Sequence, residues 1–324
     1  MSSAGDKLPV SVQPRKEDYA YDLERALEAV VGVHSIIPGD AFTAETLGTE
    51  RAGNGVLIRG DGLVLTIGYL ITEAESVWLH LSNGTPVQGH VLGYDQETGF
   101  GLVQALARLD LPVLPLGNSS ALKVDDSVVV AGAGGRQRSV AAHVVALQEF
   151  AGYWEYVLDE AIFTAPSHPN WGGTAVINAA GELVGIGSLQ LQQSTARGTT
   201  ENLNMVVPID LLKPVLNDLQ MFGRRNRPPR PWLGLYATEV DDKVVIAGLS
   251  GTGPASQADL QIGDILLAVG PEEVHDLAGF FRQIWALGNA GVSVPLLLHR
   301  DGRTFETSIK SADRQQFLKA PRLH

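Results

Sequence analysis

The 324-residue sequence has no cysteine, which excludes disulfides, thiolate metal sites and a cysteine nucleophile while leaving the redox compartment open. It has no run of about 18 apolar residues, so no membrane-spanning helix is expected. Positive charge is scarce as well: 24 Lys and Arg against 36 Asp and Glu give a formal net charge of −12. That balance argues against nucleic acid and against an anionic membrane as partners. Residues 1–19, MSSAGDKLPVSVQPRKEDY, lack the basic segment followed by an apolar one that marks export. The expectation is a cytoplasmic protein, periplasmic only as a processed form. No grouping of His, Asp and Glu has metal-ligand spacing, so neither a metal nor another cofactor is expected.

What the chain does have is glycine and proline, 36 and 17 of them, which suit many short strands joined by turns. The length suggests about two domains. Residues 17–33 place Tyr19, Leu23, Leu27 and Val30 at the spacing of one helical face, so the N-terminal segment, 1–30, is expected to hold a helix. From Val31 to Leu191 short apolar or alternating runs are divided by Gly, Asn and Asp, the pattern of antiparallel hairpins in a sandwich or barrel. Residues 224–231, RRNRPPRP, read as a semi-rigid basic connector. Beyond it come a helical stretch, LAGFFRQIWAL, and a hairpin turn at Asp301-Gly302.

Residues 165–178, APSHPNWGGTAVIN, resemble the active-site loop of the HtrA (DegP-like) family of trypsin-like serine proteases. Asn170, Gly172 and Gly173 keep the family frame, and Trp171 stands at the serine position. An indole offers no oxygen nucleophile. Pro169 falls where the family has an oxyanion-hole glycine, and proline has no N–H to donate. GNGVLIRGDGLVLTIGYLI (53–71) is similar to the general-base motif, with Thr66 retained and Tyr69 at the histidine position. A tyrosine is protonated near neutral pH and makes a poor base. VLGYDQETGFGLVQA (91–105) is similar to the motif that supplies the orienting carboxylate, here Gly99. Three degenerate positions in register imply a non-enzymatic homologue, a pseudoprotease. Tyr69 and Trp171 then either fill the old cleft or form an aromatic platform for a ligand. Ser167 and His168, with His80, His90 and His143, are the residues from which a relocated site would have to be built.

The C-terminal part resembles a PDZ module of the same family. PWLGL (231–235) matches the carboxylate-binding loop, so the N–H groups of Leu233, Gly234 and Leu235 are expected to be free to hold a peptide C terminus. GPASQADLQIGDILLAVGPEEV (253–274) carries a second PDZ motif. The expected architecture is mainly β. It comprises a two-barrel chymotrypsin/trypsin-like domain (31–222), a linker (223–231), an α+β PDZ domain (232–313) and a tail (314–324). The resemblance implies binding of peptides or protein C termini in a chaperone-like or regulatory role. It also implies a homotrimer or a mixed oligomer with an active relative, to which Tyr19 and Tyr21 could contribute. The alternative is a serine endopeptidase that cleaves with relocated residues.

Overall fold

Alternation of apolar and polar residues sets the strands. In Ser76–His80 the apolar Val77 and Leu79 are buried while Trp78 and His80 face outward, the period-two pattern of a strand with one face on a core. The computed structural model describes residues 7–320 apart from 195–197 and 199; the ends of the expected N-terminal segment and tail lie outside these. Six strands close a first barrel: β1 (Val30–Ile36), β2 (Glu50–Arg59), β3 (Leu63–Ile67), β4 (Ser76–His80), β5 (Pro86–Tyr94) and β6 (Phe100–Ala105), in the order β1-β2-β3-β6-β5-β4. Six more close a second: β7 (Ser127–Ala131), β8 (Ser139–Gly152), β9 (Tyr156–Ala165), β10 (Ala175–Ile177), β11 (Leu183–Ser194) and β12 (Thr200–Pro208), in the order β10-β11-β12-β9-β8-β7. Closure removes sheet edges from both. The interior of the second barrel is built of branched aliphatics such as Val130, Ile162, Val176 and Val206, all at most 1% exposed.

The expected N-terminal helix is shorter than the apolar spacing suggested. Helix α1 covers only Leu23–Glu28, started by the Asp22 side chain, which accepts a hydrogen bond from the Arg25 N–H. Val30, expected on the helical face, opens β1 instead and pairs with Val56 of β2. The β-branched pair Val30-Val31 favours the strand, and tertiary pairing overrides helix periodicity here. Tyr21 leans on Gly181 of its own unit, where an added Cβ would meet the ring at 2.7 Å.

After a single turn of helix, α2 (Ala44–Leu47), and a later α3 (Leu216–Phe222), the chain enters a sheet of β13 (Leu235–Val240), β14 (Lys243–Leu249), β15 (Ile265–Val269), β16 (Glu272–Glu273), β17 (Ser293–Arg300) and β18 (Arg303–Lys310). Its order is β13-β14-β15-β17-β18, with β16 on β15. Helix α4 (Leu277–Ala286) begins at Asp276, whose side chain accepts from the Gly279 N–H at 2.6 Å. It packs Phe280, Phe281 and Ile284 fully buried against Leu296 and Leu298. The β17–β18 hairpin turns at Asp301-Gly302, both at positive φ (48° and 78°), the backbone that a two-residue hairpin requires.

The described residues divide into two compact units: those within 1–148, 160–225 and 320–324, and those within 226–319 joined by 149–159. The tip of the long β8–β9 hairpin thus belongs to the second unit. The basic connector is only partly solvated. Arg225 makes a two-pronged ion pair with Asp95 at 2.9 and 2.8 Å; the Asp95 side chain is 4% exposed. Arg230 lies over the Trp285 ring at 4.2 Å.

Candidate functional site

Tyr69 sits in the short 3-10 turn after β3, and Trp171 in the loop before β10. The Tyr69 hydroxyl donates to the Ser188 carbonyl of β11 at 2.8 Å, and the Trp171 indole lies near enough to favour its ionised form slightly. Burial pushes the phenol well above its ordinary value, against the smaller opposing effect of the nearby indole. It therefore stays protonated and acts as a donor. Thr66 is fully buried, its hydroxyl donating to Asn54 O at 2.6 Å. Gly99 adopts φ 86° and its carbonyl accepts from the Gly68 N–H at 2.6 Å. Tyr69 lies against the loop that carries Trp171, a Cβ at Gly172 meeting its hydroxyl at 2.6 Å, and Gly99 is bonded to the residue before Tyr69. None of the three aligned positions supplies a nucleophile, a base or a carboxylate.

The loop's shape depends on close approach. At Gly173 φ is 76°, and a Cβ would lie 1.8 Å from the Asn54 carbonyl oxygen. Asn54 of β2 is the residue that sequence reasoning missed. Its amide donates to the carbonyls of Asn170 and Gly172, its Oδ1 accepts from the Ala133 N–H, and its own N–H donates to Gly172 O. Loop amides beside Pro169 are turned elsewhere: Asn170 N–H to His168 Nδ1 at 3.1 Å, and Gly173 N–H to Gly187 O at 2.8 Å.

Of the Ser167-His168 pair, the serine is half-buried and the histidine buried. His168 is 2% exposed, and its main-chain N–H donates to Asn204 Oδ1 at 2.6 Å. Burial lowers its pKa, so the ring is neutral. With Nδ1 accepting from Asn170, Nε2 is the donor to the Arg138 carbonyl at 2.9 Å. Both nitrogens are engaged, and His168 has no lone pair for a neighbouring hydroxyl. His80 and His143 are exposed on their strands, and His90 is half-buried on β5.

The second candidate site is the loop before β13. Gly234 turns at φ 74°, and a Cβ there would meet Gly253 at 2.9 Å, so the loop needs glycine. Its N–H groups are not free as expected. Oε1 of Glu155, in the turn between β8 and β9, accepts from the N–H of Leu233 and of Gly234 at 3.2 Å each, and the Leu235 N–H also favours the charged form. Glu155 is 8% exposed, and burial pushes its pKa up to about 7 despite these donors and Arg314. No motif flagged Glu155, which is 78 residues from Leu233.

Comparison with known proteins agrees with this architecture. Residues 53–186 match the family model of the trypsin-like peptidase domain, and residues 231–310 match that of the PDZ domain. The chain is thus similar to HtrA/DegP-like proteins, with a segment that matches a trypsin-like peptidase domain followed by one that matches a PDZ domain. It is 28% identical over 267 residues to a probable periplasmic serine endoprotease DegP-like protein of Pseudomonas fluorescens, covering 78% of this chain and 54% of that one. It is also 28% identical over 257 residues to the serine endoprotease DegS of Haemophilus influenzae, covering 76% and 74%. The chain spans about half the length of the DegP-like relatives it matches. Among solved structures, the HtrA-type protease AlgW with tripeptide shares the fold at a TM-score of 0.53 and 20% identity, over 93% of this chain and 97% of that one.

Two expectations are corrected by these matches. The chain was expected not to be an enzyme, yet the relatives are named serine endoproteases and nothing in the matches marks a loss of activity. Tyr69, Gly99 and Trp171 describe three positions; they do not test every other hydroxyl of the chain. The cytoplasmic expectation gives way because the DegP-like relatives are named periplasmic. Among the described residues no helix is long and apolar enough to cross a membrane, which does not distinguish the two compartments.

Proposed function

We propose that this chain recognises peptides or protein C termini through Leu233, Gly234 and Leu235 of its PDZ domain, as the binding arm of an HtrA/DegP-like protein. One observation carries the reading: the Leu233 and Gly234 N–H groups already converge on a carboxylate, that of Glu155. A loop that holds a side-chain carboxylate has the donors that a main-chain carboxylate needs. Recognition of exposed termini suits a chaperone-like or regulatory role in the periplasm, the compartment named for the DegP-like relatives, and a homotrimer or a mixed oligomer with an active relative. Selection of C-terminally displayed peptides against the intact chain tests the reading. The selected peptide is expected to lose at least about tenfold in affinity when its carboxylate is amidated, one to two hydrogen bonds to a charged group. No selected peptide, or equal affinity for the amide, counts against it.

A second reading rests on the names of the relatives: serine endopeptidase activity using residues other than Tyr69, Gly99 and Trp171. The His168 bonds make Ser167 a poor candidate for the nucleophile. Incubation with casein, together with a fluorophosphonate probe that labels activated hydroxyls and mass-spectrometric mapping of the label, tests it. Turnover with a labelled Ser or Thr supports relocation; neither turnover nor label removes this reading and leaves the first intact.

A further inference from the structure

The β8–β9 hairpin tip does more than place Glu155. β13 is the edge strand of its sheet, the kind of strand to which a peptide adds. Its Ala237 N–H donates to the carbonyl of Tyr153 at 3.1 Å. Tyr153 and Glu155 are two residues apart, so one hairpin tip supplies a strand-like carbonyl to the edge and a carboxylate to the loop. On either side of this bond the tip is anchored. The Tyr153 ring meets Tyr236 edge-on at 5.9 Å, Ala151 and Val157 pack against the core of the second unit, and Arg282 of α4 pairs with Glu149 and Asp159 at the base of the tip. The tip is therefore bonded to both β13 and α4, the two walls of a PDZ groove.

We propose that residues 149–159 are an internal ligand of the PDZ groove, with the Glu155 side chain standing in for a peptide's terminal carboxylate, so that an external C terminus binds only when the tip leaves. The inference rests on the peptide-recognition reading above and adds the competitor to it. The tip is built to be displaceable as well as to fit. Glu155 is held at φ 62°, an uncommon conformation for a residue with a side chain, and Tyr153 is 48% exposed. An occupant tied to the same chain competes at a high effective concentration. The apparent affinity of an external ligand falls by the fraction of molecules whose groove is open.

The probe is a labelled peptide carrying residues 148–154 followed by a valine with a free carboxylate, and the same peptide amidated. Binding is read by anisotropy on the intact chain, its Glu155→Ala variant and its Glu155→Gln variant, with hydrogen exchange of the Leu233, Gly234 and Ala237 amides followed in parallel. The glutamine variant keeps the side-chain volume should the alanine variant fold poorly. In the unaltered chain these amides are expected to be protected and the peptide weakly bound. In Glu155→Ala the amides lose protection, the carboxylate peptide binds at least tenfold more tightly than to the unaltered chain, the amidated one does not, and added peptide restores protection. Equal, tight binding to the unaltered chain and the variant overturns the internal ligand while leaving peptide recognition standing. Free exchange in the unaltered chain overturns it too, because the tip is then not docked. Opened amides in the variant with no peptide bound overturn both.

Discussion

The chain fills two sites with its own side chains, and it does so in opposite ways. At the three aligned positions, Tyr69 is an uncharged group whose hydroxyl donates to the Ser188 carbonyl. At the carboxylate loop, Glu155 is a titratable group buried on two N–H donors at an unfavourable backbone angle. A buried neutral group with its hydrogen bonds made is inexpensive to keep, whereas a buried carboxylate costs desolvation that its partners only partly offset. The first filling is built to stay and the second can be undone.

The largest expected effect tests the permanence of the first site. Gly173→Ala forces a Cβ to within 1.8 Å of the Asn54 carbonyl at φ 76°. It is expected to cost about 4 kcal/mol or more, read as a fall in the urea midpoint of the first unit. Tyr69→Phe comes next: it leaves the Ser188 carbonyl without its donor, a loss of about 1–3 kcal/mol by the same measurement. Glu155→Gln should cost less than either, under about 1 kcal/mol at pH 8, because it also removes a buried charge. If Glu155→Gln proves the most damaging of the three, the contrast between a fixed and a removable filling is wrong.

The smallest effect is the pH dependence of the tip. Glu155 rises from an ordinary 4.5 to about 7 in the folded chain, with Arg314 the charged group that opposes the shift. A raised carboxyl pKa means that the docked state prefers the neutral form. Its contribution is full below about 4.5 and is lost as pH rises through about 7. Protection of the Ala237 amide, corrected for intrinsic exchange, should therefore decline between pH 5 and pH 8. Glu155→Gln should flatten the profile, and the Tyr69 site should show no such dependence over this range. A flat profile in the unaltered chain would remove titration from the comparison.

Local chemistry is where the sequence is most readable. The Asp301-Gly302 turn follows from a hairpin's need for positive φ, and α4 lies within the helical stretch LAGFFRQIWAL. The three motifs around Tyr69, Gly99 and Trp171 are legible as separate segments, and they lie next to one another in the first unit. What sequence could not give depends on partners far along the chain. His168 reads as a residue open to a relocated site until Arg138 and Asn204 are seen around it. The carboxylate loop reads as vacant until Glu155 arrives from another element. Val30 fits a helical face equally well until Val56 pairs with it. The activity and compartment expectations failed differently. Each extrapolated from missing residues to the behaviour of a whole protein, and a missing side chain speaks only for its own position.

Asn54 has a consequence in time. Its amide group joins residues 79, 116 and 118 positions away, and contacts that far apart form only after the intervening chain has organised. β2 can pair with β1 and β3 from nearby sequence, but the loop around Trp171 has no resting place on Asn54 until β7 and β10 exist. Refolding of the first unit should end with that loop locking onto a barrel already formed, the trigger being a single side-chain amide that waits for the rest of the unit.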